Sequence, residues 1–258
     1  MMRMLLGRVL GLWLVSMAAL SQGGEVSAVV SWSQRVELGT LVSGVVAQVR
    51  VKPGQPVRSG DVLVALDDRG YASEVARRRA EHRHAQAVLE EAQREDERAV
   101  ELYDRTVLSD FERNQALIAL QAARAVVEQA RAALLSARLD LERSAIRAPF
   151  DGLVLAVTAV PGQVVVSDLQ SMPLVTLADN RRYRLQAEVD LDQAARLQAG
   201  QVLRADLRGR LLDARISHVG FEPVDRSAQA PRYELVAEIA VDGEMPLRIG
   251  ETVVLHLE

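Results

Sequence analysis

The chain is 258 residues long, 49% hydrophobic and formally −4 in charge at pH 7. That length accommodates two or three small domains, and the apolar share excludes wholesale disorder. No basic excess points to nucleic acid, and the absence of Cys leaves no disulfide framework and no acylated Cys to anchor the chain.

The N-terminus reads as an address. Arg3 and Arg8 lead into a largely apolar stretch from Val9 to Leu20. Its 12 residues fall short of the roughly 20 that a membrane span needs. A secretory signal peptide over 1–21 is expected, cleaved after Ser21, since Ala19 and Ser21 suit the small-residue rule. An uncleaved anchor is the alternative. Residues 22–42 are expected to form a strand segment that joins a β-barrel region later in the chain.

A repeat follows. Pro53-Gly54-Gln55 recurs as Pro161-Gly162-Gln163, and the same offset of 108 maps Gly44 onto Gly152. Each copy reads as two short apolar strands around a turn, with Pro fixing φ and Gly permitting positive φ. After a three-residue insertion near Asp168 the register resumes, Leu63 matching Leu174 and Leu66 matching Leu177. An isolated hairpin is marginal in water, so the halves at 43–70 and 145–179 are expected to pack on each other. Two copies are too few for a solenoid, which needs at least three.

Between the halves, from Tyr71 to about Ser144, there is neither Gly nor Pro, although the chain has 16 Gly and 8 Pro. Ala, Arg, Glu, Gln and Leu fill this stretch, all good helix formers. Ala116, Leu120, Ala123, Val127, Ala130, Leu134, Ala137 and Leu141 alternate spacings of four and three, which is a heptad seam. In the first half Ala85, Val88, Ala92, Ala99 and Leu102 fit the same period, with Glu95 interrupting it. A break near Thr106 to Asp110, with Ser109 and Glu112 placed as a capping box, predicts two helices over 71–144. Each would hold about 33 residues and run roughly 50 Å, paired as an antiparallel coiled-coil hairpin.

Beyond the second half, alternation returns at Leu185, Ala187 and Val189, at Leu203, Ala205 and Leu207, at Tyr233 to Val241, and at Val253, Leu255 and Leu257. Short half-buried strands separated by turns predict a small β-barrel over 180–258.

The duplicated half resembles the biotinyl/lipoyl fold, a flattened β-sandwich with pseudo-two-fold halves. In carriers of that fold a modified Lys sits on the hairpin between the halves. Here Asp67, Asp68 and Arg69 occupy that place, and the chain's one Lys, Lys52, lies beside a Pro-Gly turn. A carrier of biotin or lipoate is therefore disfavoured, and no cofactor is expected.

With a helical hairpin inserted between lipoyl-like halves and a barrel after them, the chain resembles the HlyD-like membrane fusion proteins, periplasmic adaptors of bacterial efflux pumps. "ERSAIRAPFDGLV" (Glu142 to Val154), "HVGFEPVD" (His218 to Asp225) and "RIGETVVLHL" (Arg248 to Leu257) are similar to that family's entry into the second half and to its barrel. The resemblance implies an elongated multidomain protein of mixed α and β structure: a split sandwich, a coiled-coil hairpin and a barrel. It implies location in the periplasm against the inner membrane and self-association into a ring, a hexamer in many members. It implies two partners, an inner-membrane efflux transporter of the resistance-nodulation-division (RND) type, with an ABC-type pump as the alternative, and a TolC-like outer-membrane channel. Larger members continue into a membrane-proximal domain; with Glu258 ending this sequence, the barrel is expected to meet the pump.

Family members that engage TolC-like channels carry at the hairpin tip an Arg, a Leu four residues on and a Ser seven beyond it. Arg98, Leu102 and Ser109 stand at those spacings. By resemblance Arg98 would donate to channel carbonyls or carboxylates, Leu102 would fill an apolar notch and Ser109 would bond at the helical turn. Without a channel, Arg98 is part of a solvated charge run, Leu102 part of the seam and Ser109 an N-cap.

No nucleophile and base, phosphate-binding loop or metal-ligand cluster stands out. His82 and His84 are two apart on a predicted helix, so they do not face together, and His218 and His256 are isolated. Catalysis and a metal site are not expected.

Overall fold

The computed structural model describes residues 24–167, 172–225, 230–241 and 247–257. The expected signal peptide and the insertion near Asp168 lie outside them. The chain separates into two compact units, one centred on Trp32–Tyr183 and the other on Arg184–Ala240.

Strand β1 (Gly24–Trp32) belongs to the barrel. Next come β2 (Arg35–Leu38), β3 (Gly44–Val49), β4 (Pro56–Val57) and β5 (Val62–Leu66), and after the helices β6 (Ala145–Arg147), β7 (Gly152–Val157), β8 (Val164–Val165) and β9 (Val175–Ala178). They form two four-stranded sheets, ordered β2-β9-β7-β4 and β6-β5-β3-β8. The repeat offset maps β3 onto β7 and β4 onto β8, residue for residue.

The copies interlock, each lending its short strand to the other's sheet. Gly44 pairs with Val165 and, symmetrically, Gly152 with Val57. Gly54 N–H donates to the Val154 carbonyl and Gly162 N–H to that of Val46, both at 2.8 Å. The Gln of each triplet closes its own turn: the Gln55 side chain accepts from Lys52 N–H and the Gln163 side chain from Val160 N–H, both at 3.1 Å. Gly54 and Gly162 take φ of 82° and 86°, values open to Gly at no steric cost. The shared core includes Val46, Leu63, Leu66, Val154, Leu174 and Leu177, and burying each Leu is worth roughly 1.5–3 kcal/mol.

One expectation is corrected. Residues 22–42 were expected to join the barrel region, yet only β1 does so. Strand β2 lies in the sandwich, where Val36 pairs with Leu177 and Leu38 with Val175. Strand β9 is buried along its length, and β2 covers an edge that would otherwise expose unpaired backbone groups.

Helix α1 (Arg69–Asp104) has 36 residues and α2 (Asp110–Arg143) has 34, so they run about 54 and 51 Å. They pack antiparallel: Val75 near the start of α1 clusters with Leu134 and Ala137 near the end of α2, while Tyr103 and Arg113 meet at the opposite end. In α2 all eight seam residues are buried or half-buried. In α1 the seam differs from the expected one. Ala85, Ala92 and Ala99 are on it, but Leu89 and Asp96 replace Val88 and Glu95. Val88 is 46% exposed, and Glu95 turns outward to pair with Arg98. Stepping by three and then four from Val75, through Arg78, His82, Ala85, Leu89, Ala92, Asp96, Ala99 and Tyr103, meets a buried or half-buried residue each time, whereas stepping by four and then three from Val75 reaches exposed Arg79 and Gln86.

The second unit is a closed barrel. To β1 it adds β10 (Arg182–Val189), β11 (Val202–Leu207), β12 (Arg210–Pro223), β13 (Tyr233–Ala240) and β14 (Thr252–Leu257), with the short helix α3 (Leu191–Arg196) between β10 and β11. The strand order is β1-β10-β13-β12-β11-β14. Leu185, Leu203, Leu207, Leu235, Ile239 and Leu255 point inward and are essentially inaccessible. Strand β12 escaped the alternation test because its register shifts between Ile216 and His218 and again before Pro223, and each irregularity resets the period of two.

Candidate functional site

The end of the helical pair is built by two reinforcing caps. At the close of α1, Val107 N–H donates to the Leu102 carbonyl at 2.9 Å and Thr106 N–H to that of Tyr103 at 2.8 Å. This is the bond pattern of a Schellman motif, which places a left-handed residue just past the helix. Here that residue is Thr106, with φ of 61°, a conformation costly for a β-branched side chain. Three residues later Ser109 caps α2. Its hydroxyl accepts from Glu112 N–H at 3.3 Å, and the Glu112 carboxylate accepts from Ser109 N–H at 2.9 Å and from its hydroxyl at 2.7 Å. Those donors hold the Glu112 carboxyl below its ordinary range, the backbone N–H contributing most.

Cross-links between the helices stiffen the same end. The Arg113 guanidinium lies 5.1 Å from the centre of the Tyr103 ring, a cation–π distance. The Tyr103 phenol is pushed up chiefly by its hydrogen bond with the Asp110 carboxylate. These partners, with Thr106, were not singled out by sequence reasoning. Tyr103 standing just before the break was the signal that could have drawn attention to them.

Arg98 and Leu102 occupy the last two turns of α1, and Ser109 directly precedes α2. The Arg98 guanidinium pairs with Glu95 at 2.6 Å in an exposed contact, of a kind worth little in water and therefore readily exchanged. Leu102 is half-buried, and its carbonyl serves the helix cap. Ser109 acts as the N-cap. The large apolar side chains most exposed here are Val107 and Phe111, at 70% and 69%, neither of them among the residues expected from the sequence.

At the place of a carrier's lysine hairpin, β5 leads through Asp67 and Asp68 directly into α1. The Arg69 guanidinium grips the Asp67 carboxylate at 2.5 Å. Among the described residues no group of three or more His, Asp or Glu is placed to hold a metal ion, and no described helix is long and apolar enough to cross a membrane.

The model of a family described as CzcB-like, barrel-sandwich hybrid domain matches residues 34–179. Among solved structures, the membrane fusion protein Spr0693 from Streptococcus pneumoniae R6 matches with a TM-score of 0.69 at 16% identity, over 91% of this chain and 98% of that one. MacA from Actinobacillus actinomycetemcomitans gives 0.65 at 24% identity, over 92% and 78%. A MacA-MexA chimera containing the Pseudomonas aeruginosa MexA α-hairpin gives 0.59 at 24%, over 92% and 79%. At these identities the likeness is one of fold.

Proposed function

The chain belongs to the CzcB-like barrel-sandwich hybrid family, and on that premise we propose that it is a periplasmic adaptor of an efflux pump, bridging an inner-membrane transporter to an outer-membrane channel. The observation that carries this reading is the insertion of two helices of 36 and 34 residues between interlocked sandwich halves. Helices of that length add nothing to the sandwich core beyond their first and last turns. Their use is reach.

In this reading the halves at 43–70 and 145–179 form the base of the hairpin, the helices over 71–144 pair as a coiled coil and span toward the channel, and the barrel over 180–258 meets the transporter. Copies assemble as a ring, a hexamer, whose sandwiches and barrels enclose a conduit. Arg98, Leu102 and Ser109 make the channel contact, joined by exposed Val107 and Phe111. The transporter, of RND type, supplies energy and selects substrate, while this chain acts by assembly and not by catalysis. Contacts at the tip favour an open channel to the extent that they bind that state better. Residues 1–21 direct export.

The reading is tested by tagging the chain in its native host, crosslinking whole cells and identifying what is recovered with it. An inner-membrane transporter and an outer-membrane channel in the same complex are expected. Recovery with an ATPase in place of a proton-driven pump would move the assignment to the ABC class, and recovery with neither membrane protein would contradict it.

A further inference from the structure

The barrel unit carries a cleft that the adaptor reading leaves without a role. One wall is α3 and the residue after it, with Leu191, Ala194, Ala195 and Leu197; the other is β12 and β13, with Val219 and Tyr233. The volume is about 570 Å³, within the roughly 300–1,000 Å³ of small-molecule sites. At its rim stand Leu191, 56% exposed, and Phe221, 99% exposed. Covering a ligand would take the apolar Phe221 ring out of water, a gain set against the rotamer freedom it loses.

Gly220 and Phe221 also line a neighbouring groove. Among the described residues, Glu25, Glu188, Asp190, Glu222 and Glu234 line it together with one cationic side chain, Arg232. His218 lines the cleft and sits 3.9 Å from Glu234. The cleft itself has no carboxylate in its lining, but through Phe221 it adjoins a groove lined by five, and that pairing selects by chemistry. Anions are repelled, and an apolar molecule with a delocalised positive charge gains twice, from burial of its hydrocarbon and from the field of the rim. The face of the Phe221 ring adds a cation–π contact.

We propose that this cleft binds apolar organic cations, the hydrocarbon lying between α3 and β12 and the charge resting between Phe221 and the carboxylates of Glu222 and Glu234. The site is independent of the bridging role, and ligand would be held by the adaptor itself.

The test uses the purified full-length protein in equilibrium dialysis with tetraphenylphosphonium and with tetraphenylborate, ions of one shape and opposite charge. The phosphonium is expected to bind at least ten-fold tighter at low salt, with the advantage shrinking at high salt as the rim is screened. Phe221→Ala should weaken it about five-fold, and Glu222→Gln with Glu234→Gln should bring the two ions closer. Ala195→Trp, placed to fill the cleft, should abolish binding without lowering the melting temperature; if that variant unfolds, Leu191→Ser makes the same test from the rim. Equal binding of the two ions, or phosphonium binding indifferent to the cleft variants, overturns the proposal. So does failure of the phosphonium to bind, and if a photoreactive residue at 221 then crosslinks to another protein, the cleft is a docking surface instead.

Discussion

Gly44 and Gly152 are equivalent in the repeat, yet their surroundings differ enough to separate the consequences of one substitution. A Cβ added at Gly152 would lie 2.3 Å from the carbonyl oxygen of Ala178 and 3.1 Å from its carbonyl carbon. Backbone atoms of β9 cannot rotate aside, and β9 is held between β2 and β7 with all four of its residues buried. The strand must shift by about 1 Å to restore a normal carbon–oxygen contact of about 3.3 Å. That movement loosens the Leu153–Ala178 register, at about 1 kcal/mol per ladder bond lost, and adds packing strain of about 1–3 kcal/mol. Gly152→Ala is therefore expected to cost about 2–4 kcal/mol, a fall in Tm of roughly 4–16 °C for a unit of this size. At Gly44 the nearest atom is the Leu66 Cδ1 methyl at 3.4 Å, an ordinary contact with a group that can turn. Gly44→Ala should be neutral or stabilising by up to about 1 kcal/mol, through reduced freedom of the unfolded chain. Urea unfolding followed by tryptophan fluorescence would measure both, with an unchanged m-value marking a true stability effect. Equal losses in the two variants would refute the close approach to Ala178 as the cause.

Further predictions concern the hairpin and its base. Thr106→Gly should raise hairpin stability by about 1 kcal/mol by relieving the left-handed β-branched residue; a lower melting temperature in far-UV circular dichroism would count against the Schellman assignment. Ser109→Ala should lose about 1 kcal/mol with the cap, and Ser109→Asp should keep most of it. Asp96→Leu, at a half-buried seam position, should stabilise the helical pair by a better helix former and added burial, and a drop in melting temperature would place Asp96 off the seam. The Asp67 carboxyl is held down to about 2, first by the Arg69 side-chain hydrogen bond and then by the Arg69 backbone N–H. A depressed folded pKa contributes stability that is fully present above the ordinary carboxylate value near 3.9 and disappears as pH falls through about 2. Asp67→Asn should accordingly flatten the stability profile between about pH 4 and pH 2, and an unchanged slope there would show that the contact is absent in solution.

The parts of the fold legible in the sequence were those with a period or an echo. Repetition of Pro-Gly-Gln exposed the two halves because each triplet meets the same local demand: a positive φ at Gly and a side-chain acceptor for the turn. The α2 seam was readable because Leu or Val marks every second seam position and Ala the rest, with no polar residue among them. In α1 that is not so. Arg78, His82 and Asp96 share the inner face with small Ala residues, so Val88 drew the line one residue off through that part of the helix. Strand β2, of four residues, was too short to show alternation, and its place is decided by pairing with β9. The tip followed the same division. Ser109 and Glu112 form a local motif and were found, whereas Tyr103, Asp110 and Arg113 depend on two helices arriving side by side. The barrel cleft had no trace in the sequence, because α3, β12 and β13 meet there only through the closure of the barrel.

The most direct test of the bridging role is site-specific photocrosslinking from position 102 and from position 109, in cells expressing the cognate outer-membrane channel. Crosslinks to the channel from both positions are expected, and they should disappear in an Arg98→Asp background in which export and folding are normal. Crosslinks confined to other copies of this chain or to an inner-membrane protein would contradict the account, leaving Arg98 as part of a solvated charge run, Leu102 as helix packing and Ser109 as a cap.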